Sequence, residues 1–165
     1  ELGNGDNWGI NLYYSDESDS PLETAGGIYN ALSFFGEDPF LVINSDVWTD
    51  YDFSNLLNYS LDDNLAHLVM APNPEHNLDG DFLFNYDNLL SYDGEGPRFT
   101  FSGLSVISAK LFENNNIMNN DKKKSLTPLL KHAMSNQKIS GELYFGDWVD
   151  VGSVGRLEKL CNRFN

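Results

Sequence analysis

Two aspartates in this sequence each follow a short apolar segment and could bind a divalent metal ion. Asp46 comes shortly after the apolar run Phe40–Ile43, and Asp150 comes directly after Trp148 and Val149. In open α/β sheets ligands bind beyond the carboxyl ends of the strands, and carboxylate oxygens are the ligands that Mg²⁺ prefers. Taken singly, Asp46 is better explained as a turn cap and Asp150 as the end of a strand. The metal hypothesis therefore requires the two side chains to converge, and we expect them to do so.

A pair of glycines marks a second candidate site. Residues 22–27 have the sequence Leu-Glu-Thr-Ala-Gly-Gly, which places Gly26 and Gly27 in the first turn of a predicted helix over residues 24–35. Glycine destabilises a helix, so the pair becomes reasonable if a flat base or a phosphate must approach the backbone closely. Tight packing of the helix explains the pair equally well, and the sequence leaves both explanations open.

These residues must be positioned by an α/β domain, because helical and strand patterns alternate at both ends of the chain. The apolar run Phe40–Ile43 predicts a strand buried on both faces, as in a parallel sheet. The middle segments look like antiparallel additions around a turn at Asp87 and Asn88. Predicted strands span residues 10–14, 40–43, 66–71, 82–86, 89–92, 99–107, 139–145 and 148–151. Predicted helices span residues 24–35, 53–59 and 154–164, the last with Ser153 as its N-cap. A further helix is predicted to begin with Thr127 as N-cap and Pro128 in the first helical position.

The composition indicates one globular domain over residues 1–165 that binds neither nucleic acid nor membranes. The chain is 41% hydrophobic and carries a formal charge of −15, which repels phosphate backbones and anionic lipids. No apolar run reaches the roughly 18 residues of a membrane helix. Cys161 is the only cysteine, which excludes an internal disulfide and fits a reducing, cytoplasmic compartment. Residues 114–124 are predicted to form an exposed loop, and a phosphate-binding role for its three consecutive lysines is the less favoured interpretation.

Taken together, the three segments resemble the sugar-1-phosphate nucleotidyltransferase family in order and spacing. In that family an L-[EG]-T-A/G-G segment lies against the nucleotide base, a strand ends in a Mg²⁺-binding aspartate, and a later W-[LV]-D-x-G-[ST] segment supplies a second one. The resemblance implies that Asp46 and Asp150 are catalytic and bind Mg²⁺, and that Gly26, Gly27 and Asn44 bind the nucleotide. It also implies a Rossmann-like, GT-A-like fold with a mixed, mostly parallel sheet flanked by helices.

Finer features resemble the subgroup that joins UTP to N-acetylmuramic acid 1-phosphate, giving a UDP-sugar and pyrophosphate in cell-wall sugar recycling. The matching segments are residues 42–53, 66–70, 73–74, 80–82, 101–103 and 139–142, and the E-K-P element of thymidylyltransferase relatives is absent. The resemblance implies a nucleoside triphosphate and a sugar 1-phosphate as partners. It implies a sugar side formed by Asn73, Gly80, Asp81, Gly103 and Glu142.

One part of the family pattern has no counterpart here. The G-x-G-x-R…P-K-P signature, which cradles the triphosphate, is not found in residues 1–19. We therefore expect a domain truncated at its N-terminus that lacks its first βαβ portion and is inactive alone. The oligomeric state stays open, a homo-oligomer included.

Two other functions also remain open. One is an inactive relative that binds nucleotide sugars. The other is a metal-dependent glycosyltransferase with a D-x-D motif, which Asp50-Tyr51-Asp52 matches in letters, although it lies beyond Asp46 in the metal position.

Overall fold

The computed structural model describes residues 2–17, 20–113 and 123–164. Its strands are β1 (Phe40–Ile43), β2 (Val47–Thr49), β3 (Ala66–Ala71), β4 (Phe82–Phe84), β5 (Leu90–Ser91), β6 (Arg98–Ile107), β7 (Ile139–Leu143) and β8 (Trp148–Asp150). Its helices are α1 (Glu23–Ala31), α2 (Ser54–Leu57), α3 (Thr127–Ser135) and α4 (Val154–Cys161), with 3₁₀ turns at Asp6–Trp8, Leu32–Phe34 and Ala109–Phe112. None of the helices in these residues is long and apolar enough to cross a membrane.

The long strand β6 organises the main sheet. One edge of β6 pairs with β3, and β7 continues the sheet beyond β3. The other edge is shared, because β1 pairs with the C-terminal half of β6 (Ile43 opposite Leu104) and β4 pairs with its N-terminal end (Phe82 opposite Phe99). Strand β6 thereby connects the segment that leads to Asp46 with the hairpin of the middle region.

The sheet curves until its two ends meet. The hairpin strand β5 lies at one end of the strand order and β7 at the other. Even so, the Gly141 amide donates to the Asn88 carbonyl at 2.8 Å, and Leu89 forms an antiparallel bridge with Ser140. Strands β2 and β8 stand apart as a two-stranded antiparallel sheet in which Val47 lies opposite Asp150.

Each face of the sheet carries its own hydrophobic cluster. In β3, Leu68 and Met70 point into the larger cluster with residues of α1 and α3, whereas Val69 points into a smaller cluster on the other face. This division follows from the alternation of side chains along a strand. The smaller cluster also contains Tyr51 and Leu56, so it anchors the segment that follows β2.

The mixed α/β class is confirmed, but several details of the sequence prediction are wrong. Only β3 and β7 pair in parallel among the described strands. Strand β1 is antiparallel to β6 and its Ile43 is 48% exposed, because an apolar run does not encode strand direction. Residues 10–14 form no strand. Their backbone hydrogen bonds run to the preceding loop, for example from the Leu12 amide to the Asn4 carbonyl.

The helix predictions hold better. Ser153 caps α4 as predicted, accepting from the Arg156 amide at 3.4 Å. The N-cap of α3 is Leu126, not Thr127, because Thr127 already has helical geometry, and Pro128 lies in the first turn. Of the loop predicted at residues 114–124, residues 114–122 lie outside the described part of the chain.

A close approach between Gly103 and Asn44 fixes where β1 ends. The Asn44 amide donates to the Gly103 carbonyl at 2.9 Å, and a Cβ on Gly103 would lie 2.9 Å from the Asn44 Cβ. Gly103 also has φ +84°, which glycine adopts readily. We expect Gly103→Ala to lower the free energy of unfolding by about 2–3 kcal/mol, because strain and displacement of Asn44 add up.

The matched control for this substitution is Gly36→Ala. Gly36 has φ +65° with nothing within 4 Å, so the alanine should cost only the conformational strain of about 1 kcal/mol. Urea denaturation of both variants gives the comparison. Equal losses would show that the approach of Asn44 to Gly103 does not constrain the fold.

Candidate active site

The structure brings the two aspartates of the sequence analysis together. The antiparallel pairing of β2 with β8 places Val47 opposite Asp150, and the Val151 amide donates to the Asp46 carbonyl at 2.8 Å. A Cβ built on Gly152 would lie 2.9 Å from Asp46 Oδ2 and 2.9 Å from Asp150 Oδ1. The two carboxylates therefore face the same small space, which Gly152 leaves open.

The side chains of Arg156 and His76 orient Asp150. Arg156 Nη2 lies 3.2 Å from Asp150 Oδ1, which also accepts from the Gly152 amide at 2.7 Å. His76 Nε2 lies 3.1 Å from the other oxygen, Oδ2. Arg156 stands in the first turn of α4, and His76 reaches across from the loop that follows β3.

Neither residue was predicted from the sequence. The position of Arg156, one helical turn after the Ser153 cap, is a signal that could have been found, because it places a cation beside the carboxylate that precedes the helix. For His76 the sequence offers no such signal, since the contact with Asp150 is made entirely by the tertiary fold.

The donor set at Gly152 fits Mg²⁺. This ion is commonly bound by one or two carboxylates together with substrate phosphates, and not by a complete protein cage. The described residues contain no group of three or more Asp, Glu, His or Cys side chains placed to hold a metal. Two converging carboxylates match a site in which substrate phosphates complete the coordination of the metal. The metal itself stays a prediction.

A cavity of about 750 Å³ gathers three of the other predicted site residues. Asn44, Gly80 and Asp81 line it, together with residues of α3 and the end of the hairpin. Asn44 directly follows β1 and stands two positions before Asp46, so the cavity begins at the end of the strand that leads to Asp46. Its volume is within the range of a small-molecule binding site.

Asn73 and Asp81 hold the loop between β3 and β4 against β6. Asn73 Nδ2 donates to the carbonyls of Leu78 at 3.1 Å and Arg98 at 3.0 Å. Asp81 Oδ2 accepts from the Phe101 amide at 2.8 Å. Both side chains therefore position the loop that carries Gly80 and His76. Asn73 is not among the residues that line the cavity.

The chain itself occupies the surroundings of Gly26 and Gly27. The amides of Ala25 and Gly26 donate to the Lys124 carbonyl at 2.9 and 3.2 Å. The Glu17 side chain fills the place that a Cβ on Gly27 would take. Close packing thus accounts for Gly27, and the contact of Gly26 and Gly27 with a nucleotide stays a prediction.

The structure does not bring Glu142 together with Gly80 and Asp81. Glu142 lines a separate cavity of about 370 Å³, shared with Tyr59 and His67. Its Oε1 accepts from the Tyr51 hydroxyl, and its Oε2 lies 3.8 Å from His67 Nε2. The His67 imidazole and then the Tyr51 hydroxyl hold the pKa of Glu142 below its ordinary value, against the raising effect of burial. Sequence alone could not reveal which face of β7 carries this side chain.

The D-x-D letters do not form a metal site here. Asp50 accepts from the Tyr144 hydroxyl and from the Asp147 amide, and the Tyr144 contact lowers the pKa of Asp50. Asp52 accepts from the Ser54 amide at 3.0 Å, at the start of α2. Asp50 thus ties the end of β2 to the segment before β8, and Asp52 satisfies a local turn.

Comparisons with known proteins identify the family of this chain. A family model described as nucleotidyl transferase matches residues 1–80. N-acetylmuramate alpha-1-phosphate uridylyltransferase of Neisseria meningitidis serogroup B is 39% identical over 162 residues, covering 96% of this chain and 69% of the relative. The chain belongs to the sugar-1-phosphate nucleotidyltransferase family, whose members are enzymes.

Solved structures show the same fold at low sequence identity. A Bacillus anthracis protein assigned as a glucose-1-phosphate thymidylyltransferase and solved with sucrose matches with a TM-score of 0.75 at 16% identity, over 96% of this chain and 67% of its own. A UTP-bound UGPase from Acinetobacter baumannii matches with a TM-score of 0.67 at 19% identity, over 88% of this chain and 57% of its own. The chain thus spans between about a half and two thirds of the length of these two proteins.

The space at Gly152 can be tested by filling it. In Gly152→Ala the new Cβ would contact the flexible ends of Asp46 and Asp150, so the fold should tolerate it while the carboxylates move apart. We expect affinity for Mn²⁺, used as a spectroscopic substitute for Mg²⁺, to fall by about tenfold or more. Electron paramagnetic resonance titration measures the affinity. Gly155→Ala in α4 has open space around its Cβ and serves as the control with unchanged affinity. Unchanged binding by Gly152→Ala would contradict a metal site at this point.

The Glu142 contacts predict a pH-dependent stability. A carboxylate whose folded pKa lies below its ordinary value of 4.5 stabilises the fold above that value, and the stabilisation is lost as pH falls through the folded pKa. We expect Glu142→Gln to lower the free energy of unfolding by about 1 kcal/mol at neutral pH, and the difference to vanish in acid. Denaturation across this pH range measures it, with exposed Glu158→Gln as control. A loss that persists unchanged in acid would show that the charge of Glu142 is not responsible.

Proposed function

We propose that the complete gene product is a Mg²⁺-dependent uridylyltransferase that joins UTP to N-acetylmuramic acid 1-phosphate. The observation that carries this proposal is the convergence of Asp46 and Asp150 at Gly152, beside a cavity large enough for a sugar phosphate. The similarity to the uridylyltransferase of Neisseria meningitidis supports the choice of substrates. The product, a UDP-sugar, suits a role in recycling cell-wall sugars.

The reaction is a phosphoryl-group substitution with little covalent chemistry for the protein to perform. An oxygen of the sugar phosphate attacks the α-phosphorus of UTP, a new P–O bond forms, and the bond to the bridging oxygen of pyrophosphate breaks. Catalysis of such a reaction consists mainly of positioning the reactants and neutralising their charge.

Asp46 and Asp150 would hold Mg²⁺, which when bound offsets negative charge on the phosphate oxygens of both substrates. His76 and Arg156 keep Asp150 in the orientation that the site needs, and Gly152 leaves the space into which both carboxylates point. The positive charge of Arg156 also lies where the phosphates of the substrates would approach.

The remaining residues recognise the substrates. Asn44 lies between the cavity and the carboxylates, so it is placed to contact ribose or phosphate. Gly80 and Asp81 form the sugar wall of the cavity, and Gly26 and Gly27 accept the uracil ring after local rearrangement of the Glu17 segment.

A side-by-side assay tests this function. Pyrophosphate release is measured for the complete gene product with UTP and, in turn, N-acetylmuramic acid 1-phosphate, N-acetylglucosamine 1-phosphate and glucose 1-phosphate. We expect the muramic sugar to have the highest kcat/KM, by about tenfold or more. Asp46→Asn and Asp150→Asn should lower the rate by about a hundredfold, while the exposed Asp63→Asn leaves it unchanged. An equal or higher kcat/KM for glucose 1-phosphate would contradict the proposed substrate.

The same assay includes residues 1–165 alone. We propose that this chain gives no measurable turnover, because its sequence has no counterpart of the Gly-rich triphosphate cradle. A single donor that stabilises developing charge is typically worth about 3 kcal/mol, so loss of several together brings the rate close to background. An ordinary enzymatic rate from residues 1–165 would show that the catalytic groups lie elsewhere.

A further inference from the structure

The main cavity contains two cations in a chain of net charge −15. Lys131 and Arg98 both contact the ring of Tyr92: Lys131 Nζ lies 3.3 Å and Arg98 Cζ 5.4 Å from the ring centroid. Within the described residues neither cation lies within 4 Å of a carboxylate oxygen. All three side chains line the cavity, so the two cations face its interior without a paired carboxylate.

Arg98 is held in place by neutral acceptors. Its Nη1 donates to the Asp81 carbonyl at 3.0 Å, and its Nη2 donates to the Tyr92 carbonyl. A guanidinium group has five N–H donors, so others remain available to a ligand. Because carbonyl oxygens carry no formal charge, these bonds fix the position of the side chain without removing its charge.

Lys131 is free to turn toward a ligand. It stands on α3 beside the buried Leu130, and its ammonium group lies over the face of Tyr92. A cation over an aromatic ring at a partly exposed site is stabilised by only about 0.5–1 kcal/mol. An anion in the cavity would therefore compete successfully for the ammonium group.

Three carboxylates also line the cavity, but none of them lies within 4 Å of Lys131 Nζ or of the Arg98 guanidinium nitrogens. Both oxygens of Asp81 already accept hydrogen bonds, from the Phe101 amide and from Asn77. Asp79 and Asp93 also line the cavity, but more than 4 Å from both cations. The cavity thus offers acceptors for hydroxyl groups on one part of its wall and a cationic pair on another.

We propose that Lys131 and Arg98 bind the lactyl carboxylate of N-acetylmuramic acid 1-phosphate and thereby select this sugar. The inference rests on the proposed function and adds the residues that determine its specificity. N-acetylglucosamine 1-phosphate has the same ring, acetamido group and phosphate but lacks the lactyl ether. The two sugars therefore differ in the one group that the cationic pair would recognise.

The test replaces Lys131 by methionine in the complete gene product. Lys131→Met keeps the apolar stem and removes the charge. We expect kcat/KM for the muramic sugar phosphate to fall by about tenfold, mainly through KM, while the value for N-acetylglucosamine 1-phosphate stays unchanged. Lys131→Arg should restore the preference, and Lys110→Met, an exposed lysine outside the cavity, should leave both values as in the unmodified protein.

A binding measurement separates this inference from the proposed reaction. Calorimetric titration with N-acetylmuramic acid and with N-acetylglucosamine reports recognition of the carboxylate even if neither sugar phosphate is turned over. Preference for the acid that disappears in Lys131→Met supports the inference. Equal losses with both sugar phosphates would assign the cations to the shared phosphate instead, and an unchanged preference would show that Lys131 does not recognise the lactyl group. Either result would overturn the proposal.

Discussion

The candidate site depends on hydrogen bonding at the two edges of β6. One edge carries β3, and the other is divided between β1 and β4, with Gly103 at the division. Because Gly103 has no side chain, Asn44 can lie against it and extend the β1 ladder by one further bond. The direction in which the chain leaves β1, and so the position of Asp46, follows from this contact. A side chain at residue 103 would move the strand that delivers the first carboxylate.

The loop between β3 and β4 connects the two parts of the site. Asn73 and Asp81 tie it to β6 through backbone groups of residues 98 and 101. The same loop carries Gly80, which lines the cavity, and His76, which contacts Asp150 in the two-stranded sheet. Asn73 and Asp81 are half-buried and hydrogen-bonded through both of their polar ends or oxygens, so another arrangement of the loop would leave these groups without partners. One short segment therefore fixes the cavity and the two carboxylates relative to each other.

Local sequence patterns predicted the fold class and the pair of aspartates, because each depends on a short segment. The apolar run before Asp46, the Trp148–Asp150 strand and the Ser153 cap are visible without tertiary information, and all three are present. Strand direction is a different kind of property: β1 has the same apolar pattern whether its neighbour is parallel or antiparallel.

The face to which Glu142 points is likewise set by register, and the His76–Asp150 contact by the path of a loop, so neither could be predicted. Resemblance to a family placed Glu142 among the sugar residues. The structure instead places it with Tyr51 and His67, whose contacts come from another strand and another loop.

The distribution of charge explains how an acidic chain could bind the anionic substrates that we propose for it. The net charge of −15 would repel a nucleoside triphosphate at long range, although screening limits this effect to about 10 Å at ordinary salt. Within that distance the positions of individual charged side chains determine whether an anion is attracted or repelled. Arg156 and His76 lie beside Asp150, and Arg98 and Lys131 line the cavity. These side chains lie at the places where the phosphate and carboxylate groups of the proposed substrates would bind. Surface acidity and recognition of anions are thus compatible, because three of the ten lysines and arginines, Arg98, Lys131 and Arg156, lie at these places.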